Sequence, residues 1–256
     1  MRKTLMTLIA ALAAADLWAI QGTIKTTTQT LTGDIKWQGR SKLYVVHAKK
    51  GKTEVDLECK LADVERIDVP EPAALAKAIA QVESGQGLAA IGALTKIVAD
   101  YKMLNWDRPA GRYLAQAYVM TGQAQKAYDV CTAIIADDKT AAYSGDLAAA
   151  YWQALLKLGK REQLEGLVKK AASSGSRQAS AAALVMRADI ILSGSSDSAD
   201  KLREALTKGY LRVVLMYQDA ECARERQEAC LKAATCFDKL GQTARAENLR
   251  AQAKTL

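Results

Sequence analysis

Leu114-Ala115-Gln116-Ala117-Tyr118-Val119-Met120-Thr121-Gly122-Gln123-Ala124-Gln125-Lys126-Ala127 is the stretch that decides the fold of this 256-residue chain. It reads as one helix, a turn at Gly122 and the start of a second helix. A glycine at such a point ends the first helix in the left-handed region, and small side chains on either side let two antiparallel helices approach where they cross. The arrangement returns at Gly85, Gly159, Gly194 and Gly241, so that the five glycines are spaced 37, 37, 35 and 47 residues apart. Seven residues before them stand Ala78, Ala115, Trp152, Arg187 and Ala234. Five residues after them stand Ala90, Ala127, Leu164, Ala199 and Ala246. Small residues dominate both columns, and a period in the thirties predicts about five helix pairs whose core runs from one repeat into the next.

Leu114, Ala115, Tyr118, Gly122 and Ala127 stand in the order of the large, small, aromatic, turn-glycine and small positions of the tetratricopeptide repeat. The chain resembles that repeat over residues 73 to 256. Ala234, Phe237, Gly241 and Ala246 form the next best copy. Trp152 and Leu164 in the third copy and Arg187 in the fourth depart from the pattern, so irregular hairpins are expected there. The proline that usually closes each repeat is missing apart from Pro109. The resemblance implies a non-enzymatic scaffold in which the first helix of each pair lines a concave face that grips an extended peptide. By that register Arg112, Gln116 and Met120, and in the next repeat Ala149, Gln153 and Lys157, line the groove. Two cations and two amides around a thioether suit a peptide with acidic groups. Asp146 stands where chaperone-binding members of the family carry a basic residue.

A composition change separates this region from what precedes it. Residues 20 to 69 are rich in Thr, Val and Ile with period-two alternation, whereas alanine and leucine dominate from Ala73 onward. Pro70 and Pro72 interrupt both helix and sheet between them. Ile20, Gly22 and Ile24, then Leu31, Gly33, Ile35 and Trp37, alternate with polar residues. Leu43, Val45 and His47 share one strand face and Tyr44 and Val46 the other, while Val55, Leu57, Cys59 and Leu61 make a further apolar row. Lys49-Lys50-Gly51-Lys52 fits a hairpin turn. Five short strands predict a small closed or half-closed antiparallel barrel, which resembles the barrels of the SH3 or Sm type.

At the N-terminus, Arg2 and Lys3 precede the apolar run Leu5 to Ala15, and Leu17-Trp18-Ala19 offers a cleavage site. The run is about half the ~20 residues a spanning helix needs, so residues 1–19 read as a secretory signal peptide. An exported protein of a bacterial periplasm or cell envelope, with no transmembrane segment, is the expectation. The formal charge of +8 invites a nucleic-acid reading. The charges nevertheless alternate in sign, as in Glu221, Arg224, Glu225, Arg226, Glu228 and Lys232, where helical spacing predicts solvated pairs. No nucleic acid is expected.

Ingredients for catalysis are scarce. His47 is the one histidine, read as a half-buried sheet residue, and no G-x-S-x-G elbow, phosphate loop or H-E-x-x-H pattern accompanies it. Five cysteines, Cys59, Cys131, Cys222, Cys230 and Cys236, leave at least one without an intrachain partner, and no C-x-x-C supports a metal or redox site. Cys131 reads as a buried filler, whereas Cys222 could bond Cys230 or Cys236 only if the chain turns between them. Trp152 should be wedged in the core. Trp106, in the connection between the first two repeats, is either a plug over the core end or an interface anchor.

The sequence thus predicts an α+β chain: signal peptide 1–19, a small β-barrel-like module 20–69, and a tetratricopeptide-like helical domain 70–256. A non-enzymatic adaptor that binds a protein or peptide, without cofactor or metal, is the leading expectation. A structural or homo-oligomeric envelope subunit is the alternative, and a cell-wall or sugar-active enzyme ranks third. An adaptor predicts polar groups in the groove, an oligomer an uncapped apolar terminal helix, and an enzyme a cluster of perturbed carboxylates.

Overall fold

Alternating Thr, Val and Ile favour extended chain. In the computed structural model, which describes residues 20–50, 53–194 and 198–256, they form five antiparallel strands: β1 (Ile20–Thr26), β2 (Thr30–Gln38), β3 (Leu43–Lys50), β4 (Thr53–Lys60) and β5 (Val64–Asp68). The predicted leader 1–19 and the hairpin-tip residues Gly51 and Lys52 lie outside the described residues. The strand order is β4-β3-β2-β1-β5, so β4 and β5 are the two edges and the predicted barrel does not close.

An added element covers the inner face instead. Ile24, Leu31, Ile35, Tyr44, Val46 and Cys59 point inward, and Leu104 packs among them with Tyr101 and Met103 beside it. The chain divides into two units, the first running to Pro72 and taking in Ala99–Asp107 as well. That second segment, assigned by the sequence to the helical repeats, is pinned to the sheet by three hydrogen bonds. The Tyr44 hydroxyl donates to the Met103 carbonyl at 3.0 Å, the Asn105 side chain to Ile67 O at 2.8 Å, and the Trp106 indole to Val69 O at 3.1 Å. Burial pushes the Tyr44 hydroxyl up to about 12, with the Asp107 carboxylate adding to it. With its apolar face covered in this way, the sheet need not close on itself. The expected row on β4 is accordingly incomplete: Cys59 is buried, while Val55, on the open edge, and Leu61, in the 3-10 turn after the strand, are each 38% exposed.

The second unit is Ala73–Val98 with Arg108–Leu256. It consists of helical hairpins in series. The first pairs α1 (Leu75–Glu83) with α2 (Gly87–Asp100), the second α3 (Asp107–Met120) with α4 (Ala124–Asp137), and the third α5 (Asp146–Lys157) with α6 (Arg161–Ala172). The fourth joins α7 (Arg177–Leu192) to α8 (Ala199–Ala205) and α9 (Leu211–Met216), and the fifth α10 (Ala223–Lys239) to α11 (Thr243–Lys254). Among the described residues no helix is long and apolar enough to cross a membrane.

Four of the five turns are built alike. Gly85, Gly122, Gly159 and Gly241 have φ of 84°, 76°, 69° and 71°. In each, the residue after the glycine donates its N–H to the carbonyl five residues back: Gln86 to Gln81, Gln123 to Tyr118, Lys160 to Leu155 and Gln242 to Phe237, at 2.7 to 3.0 Å. This is the bond that satisfies the orphan carbonyls of a helix end. The flanking columns are buried to match: Ala78, Ala90, Ala115, Ala127, Trp152, Leu164, Ala234 and Ala246 are at most 1% exposed. Trp152 is wedged as expected, with its indole N–H donating to Ala142 O at 2.9 Å.

The fourth hairpin breaks the pattern. Gly194 is not in the left-handed region, and Arg187 and Ala199 are exposed. The crossing has moved one residue along, to Ala188, which is fully buried. Opposite it, a π-helical turn at Leu206–Tyr210 joins α8 to α9. A side chain at Gly209 would stand 2.5 Å from the Ala188 Cβ and 2.7 Å from the Leu184 carbonyl oxygen. The small-residue rule is obeyed here, but by residues outside the predicted columns.

All five cysteines are buried, and no disulfide joins any two of them. Burial pushes Cys131 up to about 12. Cys222 precedes α10 in a 3-10 turn, and its thiol makes no bridge.

Candidate functional site

The first helices of the second to fifth hairpins, α3, α5, α7 and α10, border one cleft of about 670 Å³. Helical spacing places Arg112, Gln116 and Met120 on one face of α3, each one turn from the next, and Ala149 and Gln153 on the same face of α5; all five line the cleft. Lys157, predicted to join them, is exposed at the end of α5 and does not line it. Trp106 is not in the cleft either; it is half-buried against Val69 in the sheet unit.

The opposite wall comes from α7 and α10: Asp189, Arg224, Gln227, Glu228, Leu231 and Lys232. The charges there are organised into two groups. Asp146, at the first turn of α5, accepts from Arg112 on one oxygen and from Arg224 on the other, the latter at 3.1 Å. Its place at a helix N-terminus suits an anion. Asp189, whose side chain is 10% exposed, accepts from the Tyr210 hydroxyl at 2.5 Å, from Gln153 at 2.9 Å and from Lys232 at 2.6 Å. Lys232 also meets Glu228, one turn earlier on α10, at 2.7 Å. Burial disfavours the Lys232 charge, but Glu228 and Asp189 outweigh it and hold the ammonium above its ordinary range. Burial, followed by the charge and hydrogen bond of Asp189, pushes Tyr210 up as well.

This wiring alters the expected electrostatics. Arg112 is already engaged by a carboxylate of the protein, and so are Arg224 and Lys232, so the cations are not waiting for an acidic peptide. Beside the cleft's charges, Glu225, on α10 and 9% exposed, has no ion pair among the described residues. Gln178 donates to one of its oxygens at 3.2 Å, and the other has no hydrogen-bond partner. The alternating charges of 221–232, read as solvated pairs, thus include one buried carboxylate and one lysine tied to a neighbouring helix. Glu228 and Lys232 do form the expected i, i+4 pair, but no sequence signal pointed to Asp189, which lies 43 residues from Lys232. Between the polar groups, Met120 and Leu231 remain 46% and 49% exposed.

Two other clusters fall outside the cleft. His47 lies exposed on the outer sheet face opposite Asp56, its register partner, with Nδ1 2.6 Å from the carboxylate. That hydrogen bond raises its pKa, and the half-buried position expected of it is not what the sheet provides. Asp219, Glu221 and Cys222 bring three ligand-type atoms together, but Arg177 already holds Asp219 at 2.6 Å.

No family model matches the chain, and no curated protein does. Among solved structures it is similar to two chains carrying the nearly identical TPR-like repeats of a kinesin light chain candidate from Podosopora anserina, one of them a single-substitution form. Both are 17% identical; each match covers 71% of this chain and 91% or 92% of the other, with TM-scores of 0.42 and 0.41. At that level the likeness bears on neither function nor partner.

Proposed function

We propose that this protein is a non-enzymatic adaptor that holds an extended segment of another protein in the cleft between α3, α5, α7 and α10. One observation carries the reading: side chains from four consecutive hairpins converge on a single open cleft in which apolar Met120 and Leu231 stand exposed among polar groups fixed by their own networks. Apolar contacts of this kind supply affinity, and pre-set polar groups supply register, for a segment lying across several repeats. The terminal helix α11 speaks against end-to-end assembly, because its outward residues, among them Arg245, Glu247 and Arg250, are polar and exposed. The leader-like residues 1–19 support an exported, periplasmic or envelope setting.

Photo-crosslinkers at Met120 and at Leu231 should capture the same protein from envelope extract. Combining Met120→Asp with Leu231→Asp should weaken binding of that protein at least tenfold while the melting temperature holds, as surface changes usually allow. Equal capture from a crosslinker at Leu88, which is 74% exposed on α2, would move the binding face elsewhere.

A further inference from the structure

We propose that a small cavity beside Glu225, which shares Asp146, Ala149, Gln153, Arg224 and Glu228 with the cleft, is a subsite for the positively charged head of a lysine or arginine side chain; this deepens the adaptor reading and rests on it. A cavity of about 60 Å³ opens there, lined by Trp152, Gln178, Met186 and Glu225 among others. Glu225 is nine-tenths buried; one of its carboxylate oxygens accepts from Gln178, and the other has no donor and meets one only when the carboxylate turns toward the cavity. A buried carboxylate oxygen left unpaired bears its full desolvation cost, so a donor brought to it gains more than one brought to an exposed acid. Arg224, which lines the cavity, is turned to Asp146 at 3.1 Å. Lys232 is taken up by Asp189 and Glu228. Of the three carboxylates that line the cavity, Asp146 is paired with Arg112 and Arg224, and Glu228 with Lys232, so Glu225 is the one without an ion pair among the described residues.

The walls favour a side chain over a cluster of water. At about 10–15 Å³ of such volume per water, the space admits a handful of waters, each needing two to four polar partners. Trp152, Val185, Met186 and the alanines offer apolar surface instead. A short methylene stem ending in an ammonium or guanidinium matches both features, apolar along the wall and charged at the carboxylate.

The test uses the full chain and four probes: the N-acetyl methylamides of lysine and arginine, and of their uncharged counterparts norleucine and citrulline. Nuclear magnetic resonance follows the Trp152 indole and the Gln178 side-chain amide. The charged probes should shift both signals saturably, with the neutral ones at least tenfold weaker; the tighter of lysine and arginine identifies the head. Glu225→Gln keeps the size and should abolish that preference. Ala182→Met, which fills the cavity from α7 with Glu225 intact, should block all four probes. Equal binding of neutral and charged probes, or charged binding unchanged in Glu225→Gln, overturns the subsite, as do shifts spread over surface acids that vanish in high salt. Crosslinking at Met120 without any probe binding would remove the subsite and leave the adaptor; saturable probe binding without a captured protein would do the reverse.

Discussion

The second and fourth hairpins solve one problem in different ways. Both must bring two helices close enough for their backbones to approach. In α3/α4 a left-handed Gly122 reverses the chain, and Ala115 and Ala127, expected to meet at the crossing, are both fully buried. In α7/α8–α9 the reversal needs no left-handed glycine, and the closeness is supplied within the second helix, where Gly209 in a π-helical turn lies against Ala188 and the Leu184 carbonyl. A hairpin can therefore place its glycine in the turn, where it serves backbone conformation, or in the helix, where it serves contact. The two placements fail differently when a side chain is added.

The largest effect is expected where the contact is with backbone. Gly209→Val must displace α7 or unwind the π turn, and should cost about 3 kcal/mol, the upper end of overpacking. Thermal or denaturant unfolding measures it; a loss below about 1 kcal/mol would mean the two helices are further apart than the fourth hairpin requires. Ala115→Leu tests the second hairpin at its crossing, and a smaller cost of about 2 kcal/mol is expected because side chains can share the displacement. If its melting point matches the parent, the register of the repeat is wrong. The smallest effect separates the two turns. Gly122→Ala meets no atom within 4 Å but holds φ at 76°, so it should cost about 1 kcal/mol from the left-handed conformation alone. Gly194→Ala, outside that region and close only to the flexible end of Lys201, should change stability by less than about 0.5 kcal/mol. Equal losses at the two glycines would erase the distinction.

The four regular turns were legible in the sequence because a glycine column records a backbone requirement that few other residues meet. The fourth crossing was not, because Ala188 and Gly209 are small residues among many in alanine-rich helices, and only the partner helix distinguishes them. In the cleft, that Arg112, Gln116 and Met120 share a helix face followed from helical spacing, and that this face and Gln153 line a groove was what the tetratricopeptide resemblance implied. Asp189 and Glu225 followed from neither, since their neighbours lie in other helices: Gln178 is 47 residues from Glu225. Alternating charge tells which residues share a helix face but not whether another helix covers it. Nor could local composition assign 99–107 to the sheet, because the apolar Tyr101, Met103 and Leu104 look the same in a repeat connection as they do packed under strands.

Where Leu104 falls in the chain also constrains the order in which the protein can be made. The strands of the sheet unit are complete once residue 68 is synthesised, yet Leu104, which fills the centre of their apolar face, comes 36 residues later. The apolar face of the strands is therefore completed by a segment that follows them in the chain, and the half-shell is finished only when that segment reaches it.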